Sequence, residues 1–332
     1  MNAAQIRGSA ATDAAPHPLH NAALLTGASF AAKGCGFVAL LVATHVLGKN
    51  GFGDYGEVMA FVGLFAVATD LGLSTLAVRD VAQDRSLLPR YVGSVLVLRL
   101  ALSVITAGTC IALSTVLAAE LRFGPTVRAG IVLWALALIP IAVTGTMGIV
   151  FQAVERMAAL SVITTATAAL TAIVGSVALL LGGRVVAYVG VAAAVNAAMA
   201  VAAVVLAARV VPLRPRVELA WWPPLVRAAL PFAVLTLLNV LYSRADYQLV
   251  YTMKGAGDAG LYGVAYRFVD TLLVLAISPF NAAALPAFNR IAAASRDALH
   301  GLVVSGVRIM LALGVPVAVA VTMYPRAVLS IF

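Results

Sequence analysis

Long apolar stretches separated by short polar connections make up almost the whole chain. Nine of them, each about 20–27 residues, run at about 24–46, 57–77, 91–118, 129–150, 158–181, 185–208, 229–251, 260–284 and 300–325. A helix needs roughly 20 consecutive apolar residues to cross about 30 Å of hydrocarbon, and helices of soluble proteins rarely sustain such a run. The pattern therefore predicts nine membrane-spanning helices. Most of the Arg, Lys, Asp and Pro residues fall in the connections between them.

The seventh to ninth stretches read as a second copy of the first to third. Gly53-Asp54-Tyr55-Gly56 in the first copy meets Gly260-Leu261-Tyr262-Gly263 in the second, and at the same offset Phe61-Val62 meets Phe268-Val269. Repeated helical units predict a two-lobed transporter with a site between the lobes. The expected fold is an all-α polytopic membrane protein, a two-lobed helical bundle. Its expected parts are a disordered cytoplasmic tail over 1–20, a six-helix first lobe over 21–208, a linker over 209–228 and three helices of a second lobe over 229–332. A six-helix first lobe calls for six helices in the second, so the second lobe is expected to be incomplete and the chain to be part of a longer product.

Composition agrees with the segment pattern. The chain is 63% hydrophobic and 11% charged, with a mean hydropathy of +1.03, far from the quarter-charged make-up of soluble domains. No polar block is large enough for a separate enzymatic domain. The formal charge of +9 does not point to nucleic acid, because the cations are scattered over short loops, where they act as topology signals. Cys35 and Cys110 fall inside predicted spans and read as small packing residues. His17, His20, His45 and His300 have no Cys or carboxylate at ligand spacing, so neither a metal nor another cofactor is expected.

Counting Lys and Arg on alternate sides of nine spans gives eleven on one side (Arg7 and the loops around Arg79, Arg156, Arg216 and Arg290) and six on the other (Lys49, Arg122, Arg128, Arg184, Lys254, Arg326). The richer side is cytoplasmic by the positive-inside rule, which puts the N-terminus inside. The one substantial linker, Arg209 to Pro224, carries four prolines and the pair Trp221-Trp222. Its composition argues against a continuous helix, and it reads either as a hinge between lobes or as a plain tether.

Charge at membrane depth is costly unless paired or solvated, so ionisable residues inside the spans are the candidate functional groups. These are Lys33, Arg99, Arg244, Arg267 and Arg308 among cations, and Asp70, Asp246 and Asp270 among anions. Arg267 and Asp270 are three apart on one helix and either pair locally or face a cavity. Asp70 either carries a coupling cation or proton or pairs near the cytoplasmic end, with Arg79 in reach. Arg99 and Arg308 either line the cavity or snorkel to the headgroups. Cations outnumber anions five to three, which suits an anionic amphiphile with its phosphate in the cavity and its tail in lipid. Lys33 and Arg244 are the leading candidates for that contact, and Asp70, Asp246 and Asp270 for a coupling ion. An enzyme of lipid-linked glycan assembly would need clustered carboxylates or a large charged outer loop, and the acidic residues here occur singly.

The order Gly51-Phe52-Gly53-Asp54-Tyr55, a span, then Asp70-Leu71-Gly72-Leu73 and Arg79 resembles the polysaccharide and O-antigen flippases of the multidrug/oligosaccharidyl-lipid/polysaccharide exporter superfamily. Arg244-Ala245-Asp246, followed by Gly260-Leu261-Tyr262-Gly263 and Arg267, is similar to their second-lobe start. The resemblance covers about residues 20–332. It implies two lobes around a central cavity and movement of an undecaprenyl-diphosphate-linked oligosaccharide across a bacterial inner membrane by ion-coupled alternating access. Its implied partners are that glycan lipid, membrane lipids and polysaccharide polymerase machinery, with no nucleic acid. A drug or cation antiporter of the same superfamily would share the architecture but favour a carboxylate- and aromatic-lined site. The family usually has twelve or more spans, against nine here, and supplies no catalytic motif to carry over.

Overall fold

A computed structural model describes residues 18–210, 216–267 and 296–323. The described residues form long helices with short 3-10 turns and no strand: α1 (Pro18–Ala66), α2 (Leu73–Gln83), α3 (Leu88–Val116), α4 (Pro125–Ala153), α5 (Met157–Leu180), α6 (Val185–Val210), α7 (Trp222–Lys254), a helical segment over 256–267 (α8) and α9 (Arg296–Met323). Six stretches among these residues are long and apolar enough to cross a membrane. With lipid rather than water outside, a helix satisfies its own backbone and leaves apolar side chains facing outward at no cost. Leu180, Leu235, Leu238 and Val201 are such residues. Many hydroxyls inside the spans are satisfied locally, as where Thr146 donates to the Ala142 carbonyl at 2.9 Å.

The first two predicted spans are the two arms of α1, joined at Gly48. Its φ of 63° lies in the left-handed region, where a side chain is disfavoured, and it interrupts the helix. Leu40 before it and Met59 after it line one cavity, whereas a straight helix would hold them about 28 Å apart. The second arm therefore folds back beside the first.

That arm is shorter than its apolar pattern suggested. The predicted span 57–77 is cut: the helix closes at Ala66, a 3-10 turn follows at Val67–Thr69, and Leu71 (φ 46°) and Gly72 (φ 75°) turn the chain before α2. Asp70 thus sits at a break rather than within a span. The Asp70 carboxylate caps the new start, accepting from the Ser74 hydroxyl at 2.6 Å and the Ser74 N–H at 3.3 Å.

Two apolar cores lie at opposite ends of the bundle. At the linker end, Leu76 of α2, Val95 of α3, Phe151 of α4, Ala203 of α6 and Leu225 of α7 pack together. At the Gly48 end, Val58 of α1, Phe123, Ile131 of α4, Val189 of α6 and Tyr251 of α7 form the other. The first helix after the linker, α7, thus reaches both, its start against α2 and its end against the second arm of α1.

Two features mark the described part of the linker. Helix α7 begins at Trp222, so Pro223 and Pro224 occupy its first turn, where no intrahelical N–H bond is lost. The stretch before it is docked on α3. Arg216 N–H donates to the Pro89 carbonyl at 3.0 Å, Arg90 pairs with Glu218 at 2.6 Å, and the Arg90 guanidinium lies 4.2 Å over the Trp221 ring.

Candidate functional site

A cavity of about 420 Å³ opens between both arms of α1 and helices α4, α5 and α6. Three threonines of α5, at the i, i+3, i+7 spacing of one helix face, turn toward it: Thr164, Thr167 and Thr171. Asn196 of α6, Trp134 of α4 and the tyrosines Tyr55 and Tyr188 complete the polar lining. Thr164 and Thr167 donate to their own helix carbonyls at 3.0 and 2.7 Å, and the Asn196 amide donates to Ala192 at 2.8 Å. Their oxygens keep lone pairs for an incoming hydroxyl donor. The tyrosine rings meet edge to face at 5.2 Å, presenting apolar faces beside the polar stripe.

A smaller cavity of about 40 Å³ adjoins it between α1, α7 and α8. Phe52, Tyr55, Met59 and Arg267 line both. Arg267 of α8 is therefore at the junction, and Arg244 of α7 faces the smaller space. Asp246 lines it too, accepting from the Tyr262 hydroxyl. Among the described residues, two guanidinium groups and one carboxylate line this smaller space.

The other candidate residues are placed elsewhere. Arg99 is 5% exposed and neither lines these cavities nor snorkels. It pairs with Asp70 at 3.4 Å and donates to the Ser74 hydroxyl at 2.9 Å, tying α3 to the break before α2. Gly145 of α4 leaves the space, since a Cβ there would be 2.8 Å from the guanidinium. Arg79 pairs with neighbouring Asp80 at 2.8 Å instead of Asp70. Arg308 is exposed on α9. Lys33 lies on α1, with its side chain outside the described residues, as are Asp270 and the Phe268-Val269 part of the repeat. Away from the spans, Asp84 accepts from the Ser86 N–H at 2.9 Å, and these Ser86 bonds hold its carboxyl below the usual range.

The repeat motifs meet each other. A Cβ on Gly260 would fall 2.0 Å from the Lys49 carbonyl oxygen and 3.1 Å from the Gly53 nitrogen, and one on Gly53 would fall 1.8 Å from the Ala256 oxygen. Both copies contribute glycine because two backbones cross there. The Tyr247 hydroxyl, donating to the Gly53 carbonyl at 3.0 Å, seals the crossing.

Residues 19–292 match the family described as polysaccharide biosynthesis protein. The chain belongs to that family. No curated protein and no solved structure matches it. As a polysaccharide biosynthesis protein with six long apolar helices among its described residues, it is a multi-pass membrane protein and a polysaccharide-related transporter. Members of the family are in general transporters rather than enzymes.

Sequence reasoning passed over several groups that build this site. The threonine stripe was readable as hydroxyls recurring on one face of an apolar run. Glu57, at the first position of the predicted span 57–77, is fully buried. Tyr262 was visible only as part of the repeat motif, and Tyr247 gave no signal, since an aromatic in a span reads first as packing.

Proposed function

We propose that this protein moves an undecaprenyl-diphosphate-linked oligosaccharide across the bacterial inner membrane for polysaccharide assembly, by ion-coupled alternating access with the N-terminus cytoplasmic. The observation that carries this reading is the position of Arg267, where a small space lined by Arg244 and Arg267 joins a larger one lined with hydroxyl, amide and aromatic groups. A diphosphate is best held by guanidinium forks, and sugar hydroxyls by threonine and asparagine oxygens with rings beside them. Arg244 and Lys33 are further candidates for the diphosphate, and membrane lipids and polymerase machinery remain proposed partners.

The test is uptake of a fluorescent short-chain polyprenyl-diphosphate oligosaccharide into the protected leaflet of proteoliposomes. Losing one charge-assisted contact worth about 1.5–3 kcal/mol lowers affinity by roughly ten- to a hundred-fold. That is the expected outcome for Arg267→Ala, with partial recovery in Arg267→Lys because the two-pronged contact is lost. Translocation of a quaternary ammonium drug but not of the lipid-linked sugar would overturn the proposal in favour of the antiporter reading.

A further inference from the structure

Among the described residues, Glu57 of α1 is a carboxylate with no exposed surface. It lies in the second arm, one turn past Gly53, amid the apolar core at the Gly48 end. Both carboxyl oxygens lack a hydrogen-bond partner. Beside it, across the contact from α1 to α7, stands Gln248, whose amide oxygen and nitrogen are also buried and unsatisfied. Four orphaned polar atoms at one helix contact are expensive, and native structures keep such groups only for a reason. The neighbours do not supply the missing bonds. Asp54, on the same arm, already accepts from the Tyr251 hydroxyl at 2.9 Å, and Tyr247 donates to the Gly53 carbonyl.

A proton resolves the arrangement. A neutral carboxylic acid and a primary amide are complementary: the acid O–H donates to the amide oxygen, and the amide N–H donates to the acid carbonyl. All four atoms are then satisfied without leaving the core. An ionised carboxylate could accept only from the amide nitrogen and would face the amide oxygen with like polarity. It would also sit unpaired in an apolar core beside the carboxylate of Asp54, a costly position. A metal ion fits poorly, because hard cations gather six or more oxygens and no group of three potential ligands occurs among the described residues.

We propose that Glu57 and Gln248 form a proton site at the contact between α1 and α7, the carboxyl neutral while these helices are packed and ionised once they part. Because α1 belongs to the first lobe and α7 follows the linker, protonation there is coupled to the lobe contact. The coupling role rests on the transport reading above, but the proton site does not. The titratable or charged groups around it are Asp54 on its own arm, Tyr247 and Tyr251 on α7, and Cys110 of α3 in the same core. Arg267 of α8 acts on Tyr247 from the cavity side. Helix α4 meets this turn through apolar Val127 and Ile131. None of these supplies a cation in contact with Glu57 in the packed state. The proposal thus assigns coupling to a residue outside the cavity, in place of Asp70, which is occupied by Arg99 and Ser74.

The test needs no substrate. Infrared difference spectra of the purified protein should show a protonated carboxyl band at neutral pH that Glu57→Gln removes and Gln248→Leu shifts. Spin labels on the second arm of α1 and on α7 should move apart as pH rises in the parent protein. In Glu57→Gln, which keeps a neutral hydrogen-bonding side chain, they should stay together at every pH. Absence of the band in the parent protein, or the same pH-dependent separation in Glu57→Gln, overturns the proposal. So does a separation that follows sodium at constant pH. Should the band and the separation behave as expected while no lipid-linked sugar is moved, the proton site stands and the substrate reading falls.

Discussion

Asp70 and Arg99 show how one residue's neighbourhood redefines its role. Arg99 was a candidate for the cavity and Asp70 for a coupling ion, but together with Ser74 they close a network that fixes where α1 ends and α2 starts. Removing one partner of a buried pair strands the other, at a cost of about 3–5 kcal/mol in well-buried cases. Arg99→Ala, which leaves Asp70 partly accessible to solvent, is expected at the lower end of that range. The measurement is the midpoint of thermal unfolding in detergent, where Arg267→Ala should shift little despite its proposed effect on transport. Both charges were legible in the sequence because they interrupt apolar runs. Their pairing was not, since the partners are 29 positions apart and the left-handed turn at Leu71-Gly72 that aims Asp70 has no hydropathic signature. Glu57 failed the opposite way: its charge was visible, but its depth depends on α1 doubling back at Gly48.

At the scale of elements, the helices were the most readable feature. α3 to α6 fall within a few residues of their apolar stretches, because lipid demands an uninterrupted helix and leaves few alternatives. In the linker the position of proline matters as much as its presence: Pro223 and Pro224 in a first turn start a helix rather than prevent one. Docked segments such as 216–221 arise from long-range partners on α3 that no local pattern displays. Arg90, Glu218 and Trp221 hold that segment through a partly exposed ion pair and a cation–π contact, worth about 0.5–1 kcal/mol each. Trp221→Ala should therefore raise amide exchange over 216–221 severalfold while leaving exchange in α4 unchanged. Equal exchange in the two proteins would mean the segment is held by its backbone bonds to Pro89 and Ser94 alone.

For the whole molecule, α7 is fastened at both ends, to α2 and to the second arm of α1, and the proposed alternating access would require one fastening to open while the other holds. If the N-terminus is cytoplasmic, the linker end faces the cytoplasm and the Gly48 end faces outward. Cysteines placed at Arg85 and Lys254 test this: an impermeant thiol reagent applied from outside should label the second and spare the first, and the reverse pattern would invert the proposed topology. The crossing of Gly53 and Gly260 lies at that outward end, where one added methyl group has nowhere to go. Alanine at either position would act as a wedge, excluding the joined conformer without touching the cavity, the linker or any charge. Two positions far apart in the chain thus offer the same handle for capturing the parted conformer, and the internal duplication that made the motif recognisable also means that it can be pried open from either copy.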